Sequence, residues 1–307
     1  AMARLCEGRV AIVTGGARGV GREHCLMLAE HGAKVLVNDL GGGMASTEDG
    51  SIGPAQEVVN EIRAAGGTAA ANGGNVAKIE DVAQMVEQAK DELGGLHGVI
   101  NPAGILRDLT LHKMTEADWD SVLAVHLRGS FNIVKTTIEH FREQREGSYV
   151  LFGSTAGLIG NVAQANYAAA KMGIVGLSRV VAIEGQSRNI RSNVLAPFAW
   201  TRMMDSVVPQ NEEQAARLDR MKKTMRADQV AEFAVALCAP GADISGQIYA
   251  VRGDEILLFS QPRPIRSVSR IGGWDVNSIL EAGLPSLKPS NIELCVPAAV
   301  FPYDPIG

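Results

Sequence analysis

The strongest constraint on the fold is a regular alternation between short apolar runs rich in β-branched residues and longer amphipathic stretches. The runs predict strands at Arg9–Val13, Lys34–Asp39, Thr68–Gly73, Gly98–Asn101, Ser148–Phe152, Ile190–Ala196 and Gln247–Val251. The stretches predict helices at Gly21–Glu30, Pro54–Ala65, Ile79–Leu93, Ala117–Arg145, Gln164–Ser187 and Ala227–Leu237. Because alternating strands and helices are joined by crossover connections, we expect an α/β fold. Its core is a doubly wound, mainly parallel sheet with helices on both faces.

The alternation stops after Val251. Residues 252–307 are irregular and rich in proline, with one weak helical pattern near Asn277–Ala282. A segment this short and aperiodic would struggle to form a core of its own. We therefore expect one domain over residues 1–251, and a C-terminal extension over 252–307 that packs on it or on a neighbouring subunit.

Composition narrows the range of functions. The net charge of −5 gives no basic surface for nucleic acid or anionic membranes. No apolar run approaches the ~20 residues that a membrane span needs. The four cysteines form no close pair and predict free thiols in a reducing compartment, so we expect a cytoplasmic protein. The six histidines lack metal-ligand spacing, and we predict no metal site.

A glycine-rich turn follows the first predicted strand and precedes the first helix. Its sequence is Thr14-Gly15-Gly16-Ala17-Arg18-Gly19-Val20-Gly21. Glycines at such a turn let the backbone approach a pyrophosphate, which then lies at the positive end of the helix. This pattern is typical of a Rossmann-type dinucleotide site, with contacts from Gly15, Arg18, Gly19, Val20 and Gly21. The alternative is a tight turn that needs glycine only for packing.

An acidic residue ends the second predicted strand. Asp39 lies 18 residues after Gly21, close to the spacing at which a carboxylate binds the adenosine ribose hydroxyls. A carboxylate there would repel a 2′-phosphate and favour NAD over NADP. Arg18 argues for NADP, since a basic residue in the turn could neutralise that phosphate. We expect NAD, because Asp39 would face the ribose directly; the alternative is an ordinary loop carboxylate.

Tyr167 and Lys171 are four residues apart in a predicted helix, so they share one face. A free tyrosine has a pKa of about 10. An ammonium ~5 Å away, at an effective dielectric of ~20, would lower that pKa by roughly two units. Tyr167 could then exchange a proton with a substrate oxygen near neutral pH. The alternative is a surface pair without a catalytic role.

Taken together, Thr-Gly-xxx-Gly-x-Gly, Asn101-Pro102-Ala103-Gly104, Ser154 and the Tyr167/Lys171 pair resemble the short-chain dehydrogenase/reductase family over roughly residues 7–253. The resemblance implies that Ser154 hydrogen-bonds the substrate oxygen and Tyr167 transfers the proton. Lys171 would bind the nicotinamide ribose and lower the Tyr167 pKa. Residues 1–251 would then be both the dinucleotide-binding and the catalytic domain. Further implied cofactor contacts are Leu40, Asn75, Val76, Asn101, Ala103, Gly104, Tyr167, Lys171, Pro197 and Thr201.

Three positions depart from the family pattern. Pro102 replaces the second asparagine of Asn-Asn-Ala-Gly, and Asn75 stands where an adenine-binding aspartate is usual. His126, in Val125-His126-Leu127-Arg128-Gly129, takes the place of the family's fourth catalytic residue, an asparagine. We count His126 as a catalytic candidate that could hold the water of a proton relay; helix packing is the alternative.

Several segments point to a subgroup. Val37–Gly42, Gly104–Asp108, Val125–Phe131 and Gln164–Tyr167 resemble the (3R)-hydroxyacyl-CoA dehydrogenase region of peroxisomal multifunctional enzyme type 2. This resemblance implies NAD-dependent interconversion of a secondary alcohol and a ketone, with a 3-hydroxyacyl/3-oxoacyl thioester as substrate. The alternatives are a hydroxysteroid dehydrogenase, a 3-oxoacyl-acyl-carrier-protein reductase and a non-catalytic dinucleotide sensor. We also expect a homodimer or homotetramer, because the two long predicted helices carry more apolar surface than one sheet face covers.

Overall fold

A computed structural model describes residues 4–42, 50–200, 209 and 211–306, and in them eight strands form one sheet. The strands are β1 (Val10–Val13), β2 (Lys34–Asn38), β3 (Thr68–Asn72), β4 (Gly98–Asn101), β5 (Gly147–Phe152), β6 (Ile190–Phe198), β7 (Ile248–Arg252) and β8 (Glu255–Leu258). Their spatial order is β3-β2-β1-β4-β5-β6-β7-β8. The first seven run parallel, and β8 returns antiparallel to β7. The expected doubly wound sheet is confirmed.

Helices cover both faces of this sheet. The helices described as far as Cys238 are α1 (Gly19–Glu30), α2 (Gly53–Ala64), α3 (Ile79–Leu93), α4 (Glu116–Leu123), α5 (Gly129–Gln144), α6 (Thr155–Leu158), α7 (Ala165–Gly185), α8 (Glu212–Thr224) and α9 (Ala227–Cys238), and short helical turns follow in the tail at Val276–Ser278, Leu284–Leu287 and Pro297–Val300. Side chains alternate between the faces of a strand. Ala11 and Val13 of β1 therefore pack with α1, α2 and α9, while Val10 and Ile12 pack with α3, α5 and α7.

The predicted helix Ala117–Arg145 is divided. Helix α4 begins after Thr115, whose hydroxyl and the Asp118 carboxylate form a reciprocal cap. A π turn at Ala124–Arg128 then separates α4 from α5. Such a turn inserts one residue into the helical ladder and is frequent at functional sites. Periodicity cannot reveal it, because the apolar pattern continues through the turn.

Periodicity also did not predict β8 and α8. Strand β8 is four residues long and follows β7 after a two-residue turn. Helix α8 consists mostly of charged and polar residues and buries none of them, so few apolar positions mark it in the sequence. The sheet therefore continues past Val251, into the segment that composition assigns to the extension.

The end of the C-terminal extension contacts the sheet. Ile306 forms a bridge with Gly253, and the ring of Phe301 lies 5.3 Å from that of Phe198, centroid to centroid. The buried guanidinium of Arg252 lies 5.5 Å from the Phe301 ring and 4.7 Å from the Tyr303 ring. These contacts tie the last described residues to the carboxyl edge of the sheet.

Candidate active site

A cleft of about 780 Å³ opens at the carboxyl edge of the sheet, where the strand order reverses between β1 and β4. Ligands of doubly wound folds bind at this switch point. Most of the predicted cofactor contacts line it: Gly15, Arg18, Gly19, Val20, Gly21, Asp39, Leu40, Asn75, Val76, Ala103 and Gly104. The glycine turn, the end of β2 and the loop after β4 therefore converge on one cleft.

The glycine turn has the close backbone packing that a dinucleotide site needs. A Cβ on Gly21 would overlap the carbonyl of Gly15, so only glycine fits there. Helix α1 begins at Gly19, and no side chain caps its first turn. Backbone N–H groups at a helix start lack intrahelical acceptors and attract anions. The turn therefore fits a pyrophosphate.

Asp39 is held at the same end of the cleft. Its Oδ2 accepts the Ala17 N–H at 3.1 Å, and its Oδ1 accepts the Gly41 N–H at 2.8 Å. Arg18 donates from Nη1 to the carbonyl of Gly42 at 3.2 Å. Both residues that bear on the choice of cofactor therefore line the same end of the cleft.

Asn75 and Val76 form a third part of the wall. Asn75 accepts the Ala77 N–H on its side chain at 2.9 Å, and its own N–H donates to Asp81 at 2.9 Å. Buried Asn132 on α5 donates to the Val76 carbonyl at 2.9 Å. Sequence reasoning missed Asn132, which has no motif of its own and is recognisable only by its contact.

Asn101 lies behind the cleft and does not line it. Its Oδ1 accepts from the Thr14 hydroxyl at 2.5 Å, and its Nδ2 donates to the Ser130 hydroxyl at 2.9 Å. Ser130 in turn donates to the His126 carbonyl at 2.7 Å. All four residues are buried. This chain of hydrogen bonds connects the end of β1, next to the glycine turn, with the π turn.

Tyr167 and Lys171 lie on one face of α7, as predicted. Lys171 Nζ is 5.4 Å from the centre of the Tyr167 ring and donates to the Phe152 carbonyl at 2.7 Å. Lys171 is 4% exposed, and burial lowers its pKa to about 7. A lysine with this pKa is only partly charged near neutral pH.

Ser154 follows β5 and caps the short helix α6 by accepting the Ala156 N–H at 3.1 Å. Burial raises the pKa of Tyr167 above its usual value, the neighbouring Ser154 hydroxyl lowers it, and the Asp108 carboxylate raises it further. Lys171 is not among the groups that shift this pKa, so the lowering predicted from the sequence is not found. The Tyr167 side chain nevertheless lies next to both Ser154 and Lys171.

His126 lies in the π turn with its ring edge-on to Tyr167, 5.1 Å between centroids at 88°. Its Nε2 lies 2.8 Å from the carbonyl oxygen and 3.1 Å from the nitrogen of Ile105. A Cβ on Gly104 would collide with this ring. Burial and the nearby Lys171 lower the His126 pKa to about 3. The imidazole is therefore neutral near pH 7 and is wedged between the loop after β4 and the phenol.

Comparison with known proteins identifies the family. The model of the short chain dehydrogenase family matches residues 9–213. A short-chain type dehydrogenase/reductase of Mycobacterium tuberculosis is 42% identical over 269 residues, which cover 86% of this chain and 92% of the relative. The chain belongs to the short-chain dehydrogenase/reductase family. It is therefore an oxidoreductase of a family that uses nicotinamide dinucleotide cofactors.

Two further matches agree with this assignment. Mouse peroxisomal multifunctional enzyme type 2 is 40% identical over 245 residues, covering 80% of this chain but 32% of the mouse enzyme. A crystal structure of a short chain dehydrogenase from Mycobacterium avium superposes with a TM-score of 0.81 at 32% identity. It covers 95% of this chain and 98% of that one. The chain thus spans about a third of the multifunctional relative and nearly all of the two mycobacterial proteins.

The end of β6 and the residues after it contribute Trp200 to the cleft. Pro197 pairs with Val251 near the end of β6 and does not line the cleft, and Thr201 falls outside the described residues. Trp200, which sequence reasoning missed, lines the cleft, and its backbone N–H donates to the Met225 carbonyl at 2.7 Å.

Within the described ranges, no three His, Cys, Asp or Glu side chains are grouped to hold a metal. Nor does any helix described there have the length and apolarity to cross a membrane.

Proposed function

We propose that this oxidoreductase uses NAD to interconvert a secondary alcohol and a ketone, with a 3-hydroxyacyl/3-oxoacyl thioester as substrate. The observation that carries the proposal is that Tyr167 lies next to Ser154 and Lys171 and contacts His126, whose ring packs on Gly104 of the cleft lining. A hydroxyl donor, a phenol and an amine in contact form a proton-transfer site, and the cleft supplies the place for a redox cofactor.

The chain's own residues divide the work. The turn Gly15–Gly21 holds the pyrophosphate on the amino end of α1, and Asp39 binds the ribose hydroxyls. When bound, the oxidised nicotinamide supplies the hydride acceptor and a positive charge. Ser154 hydrogen-bonds the substrate oxygen, and Tyr167 accepts the hydroxyl proton in oxidation or returns it in reduction. Neutral His126 orients the phenol ring through its edge-on contact.

Lys171 keeps this proton transfer within reach of neutral pH. Its pKa of about 7 places its charge change near the operating range of the enzyme. The Phe152 carbonyl fixes the amine beside the phenol. When it is protonated, Lys171 would favour the phenolate form of Tyr167 and so oppose the rise in pKa that burial causes.

Asp39 supports the choice of NAD over NADP. Its carboxylate is fixed by two backbone N–H groups at the ribose end of the cleft. A 2′-phosphate would meet this negative charge at short range. Arg18, the residue that could neutralise such a phosphate, is engaged with the Gly42 carbonyl.

An apolar rim supports a substrate with an alkyl chain. Leu109 and Leu111 on the loop after β4, and Val162 on the loop before α7, are all exposed. A hydrogen bond from the Leu109 N–H to the Ala163 carbonyl joins the two segments four residues before Tyr167, and grouped exposed apolar side chains mark a binding surface. The name of the mouse relative, a peroxisomal multifunctional enzyme, is compatible with such a substrate but does not specify it.

The test is NAD reduction, followed by absorbance, with 3-hydroxyacyl-CoA thioesters, a 3-hydroxyacyl-acyl-carrier protein and hydroxysteroids. We expect the highest kcat/KM with the CoA thioesters. The Tyr167→Phe variant should lose this activity. Preference for a steroid or the carrier protein would overturn the substrate class. Binding of NAD without turnover of any of these alcohols would favour a dinucleotide sensor.

We also propose a homodimer or homotetramer. Phe131 on α5 and Met172, Val180 and Ile183 on α7 are exposed, although these helices also pack on the sheet. Apolar side chains clustered on two adjacent helices suit an isologous interface. The division into a catalytic domain, residues 1–251, and an extension, 252–307, remains a proposal of the same kind, as does a cytoplasmic location.

A further inference from the structure

Asn166, the residue immediately before Tyr167, is fully buried at the start of the catalytic helix. The first N–H groups of any helix have no intrahelical acceptor. Gln164, at the N-cap of α7, provides no side-chain cap. The N–H of Tyr167 instead donates to Oδ1 of Asn166 at 2.8 Å. The backbone of the proton-transferring residue is thus held by its neighbour's side chain.

The other half of the Asn166 amide binds two different segments. Its Nδ2 donates to the Arg107 carbonyl at 3.1 Å and to the Asp118 carbonyl at 3.0 Å. Arg107 lies in the loop after β4, and Asp118 lies in the first turn of α4. Both N–H groups of the amide and its oxygen are therefore used, and the reversed amide would turn its oxygen toward two carbonyls. This network permits one orientation of the side chain.

A second set of contacts joins the same loop to the residues just before α7. The Leu109 N–H donates to the Ala163 carbonyl at 2.9 Å, and Gln164 Nε2 donates to Asp108 at 2.8 Å. Ala163 adopts a φ of +63°, which is uncommon for a residue other than glycine. The loop with the exposed leucines and the segment that leads into the catalytic helix are thus linked side by side.

We infer that Asn166 is a positioning residue for catalysis, which ties the apolar substrate loop and α4 to the helix that carries Tyr167. The inference rests on the proposed function, because it gives Tyr167 the role of proton transfer. A displacement of about 1 Å of a reacting group can lower a rate by about 100-fold. Asn166 is not one of the residues that line the cofactor cleft, so its effect on the reaction would pass through Tyr167.

The sharpest variant is Asn166→Asp. It keeps the shape of the side chain and the acceptor for the Tyr167 N–H, but it replaces two donors with a charged oxygen facing two carbonyls. Asn193 provides a matched control. Asn193 is also fully buried, donates to the Ile244 carbonyl at 2.8 Å and accepts the Gln247 N–H at 3.1 Å. It lies on β6, outside the cleft lining, so Asn193→Asp imposes the same chemical change away from the site.

The experiment measures kcat, KM, the NAD dissociation constant and Tm for both variants in the full chain. Both should lower Tm. Asn166→Asp should also lower kcat by about 10- to 100-fold with NAD affinity within twofold of the parent, whereas Asn193→Asp should leave kcat within twofold. Equal kcat values for the two variants would overturn the assignment. Loss of NAD binding in Asn166→Asp would also overturn it, since the effect would then be a general disruption.

Hydrogen exchange separates this inference from the proposed function. Asn166→Asp should increase amide exchange in peptides that cover residues 104–112 and 163–170, and Asn193→Asp should not. Unchanged exchange there would refute the link between loop and helix. If the parent turns over no alcohol, the proposed function and the positioning role of Asn166 in catalysis are both refuted. If the exchange pattern nevertheless holds, the structural link that Asn166 makes between the loop and α7 is confirmed.

Discussion

Lys171 Nζ lies 5.4 Å from the centre of the Tyr167 ring while it donates a hydrogen bond to the carbonyl of Phe152. One lysine therefore connects the end of β5 with the face of α7 that presents the phenol. Substitution of the two residues should have different consequences, because only the lysine is also predicted to hold the nicotinamide ribose.

Tyr167→Phe should lower kcat by about 10²- to 10⁴-fold with little change in NAD affinity, since it removes the proton-transferring group alone. Lys171→Ala should lower both kcat and the affinity for NAD. Steady-state kinetics and fluorescence titration with NAD measure the two quantities. Tyr249→Phe, at a half-buried tyrosine on β7, is the control and should retain activity. A Tyr167→Phe enzyme with a large share of parental kcat would contradict the mechanism.

Asp39→Ala should erode the preference for NAD over NADP. The substitution removes the charge that would repel a 2′-phosphate at the ribose. The ratio of kcat/KM for the two cofactors is the measure, and Asp219→Ala, on the exposed face of α8, is a control that should leave it unchanged. Equal or faster turnover with NADP by the parent would show that Arg18 decides the choice instead.

Acid should destabilise the protein through His24 and His126. Both are buried, and burial lowers each pKa to about 3. Because the unfolded chain binds these protons near pH 6.5, it holds more protons than the folded chain between pH 3 and 6.5. The free energy of unfolding should therefore fall as pH drops through that window, by about 2 kcal/mol per histidine at pH 5.

His24→Leu tests this effect without touching the catalytic helix. Both ring nitrogens of His24 are enclosed and lack a hydrogen-bond partner among the described residues, so an apolar side chain of similar size suits the site. Urea unfolding at pH 7.5 and 5 should show that the free energy of unfolding falls less between the two pH values in this variant than in the parent. The exposed His112→Leu should behave as the parent does. An unchanged pH dependence in His24→Leu would contradict the assignment.

Charges on the exposed face of α7 should weaken the proposed oligomer. Val180 is 50% exposed and Ile183 is 68% exposed. The double variant Val180→Asp/Ile183→Asp places two carboxylates on this surface. Light scattering at micromolar concentration should report a lower mass than for the parent. Ile244→Asp, at an exposed apolar residue outside α5 and α7, is the control. A monomeric parent would contradict the oligomer itself.

Removal of residues 260–307 should lower stability and alter KM for bulky substrates more than KM for NAD. The truncation leaves β8 in place but removes the rings of Phe301 and Tyr303, which flank the buried Arg252. It also removes the Tyr303 carbonyl that accepts from Arg252. Leu294→Ala, at a fully exposed tail residue, should change little. Unchanged mass, Tm and kinetics after truncation would identify the tail as a dispensable appendage.

Sequence patterns were sufficient where a residue's role depends on local geometry. The glycine turn, Asp39 and the pair Tyr167/Lys171 depend on spacing along one turn or one helix. The glycine turn and Asp39 line the cleft, whereas Tyr167 and Lys171 do not line it but lie side by side on α7. The hydrogen-bonding roles of Thr14, Ser130 and Asn132 could not be predicted, because their partners lie 29 to 89 residues away in the chain. The shift of the Tyr167 pKa also depends on burial, which spacing does not report. The π turn at His126 left no trace in the apolar periodicity.

The strand order has a consequence for how the chain assembles during synthesis. Every strand after β1 pairs with at least one strand that precedes it in the chain. The sheet can therefore grow outward from β1 in both directions as the polypeptide emerges from the ribosome. One edge of β1, at Ala11–Val13, must wait for Gly98–Ile100 before it is paired. During that interval the nascent half-sheet exposes an apolar strand edge, the kind of surface that recruits chaperones or aggregates.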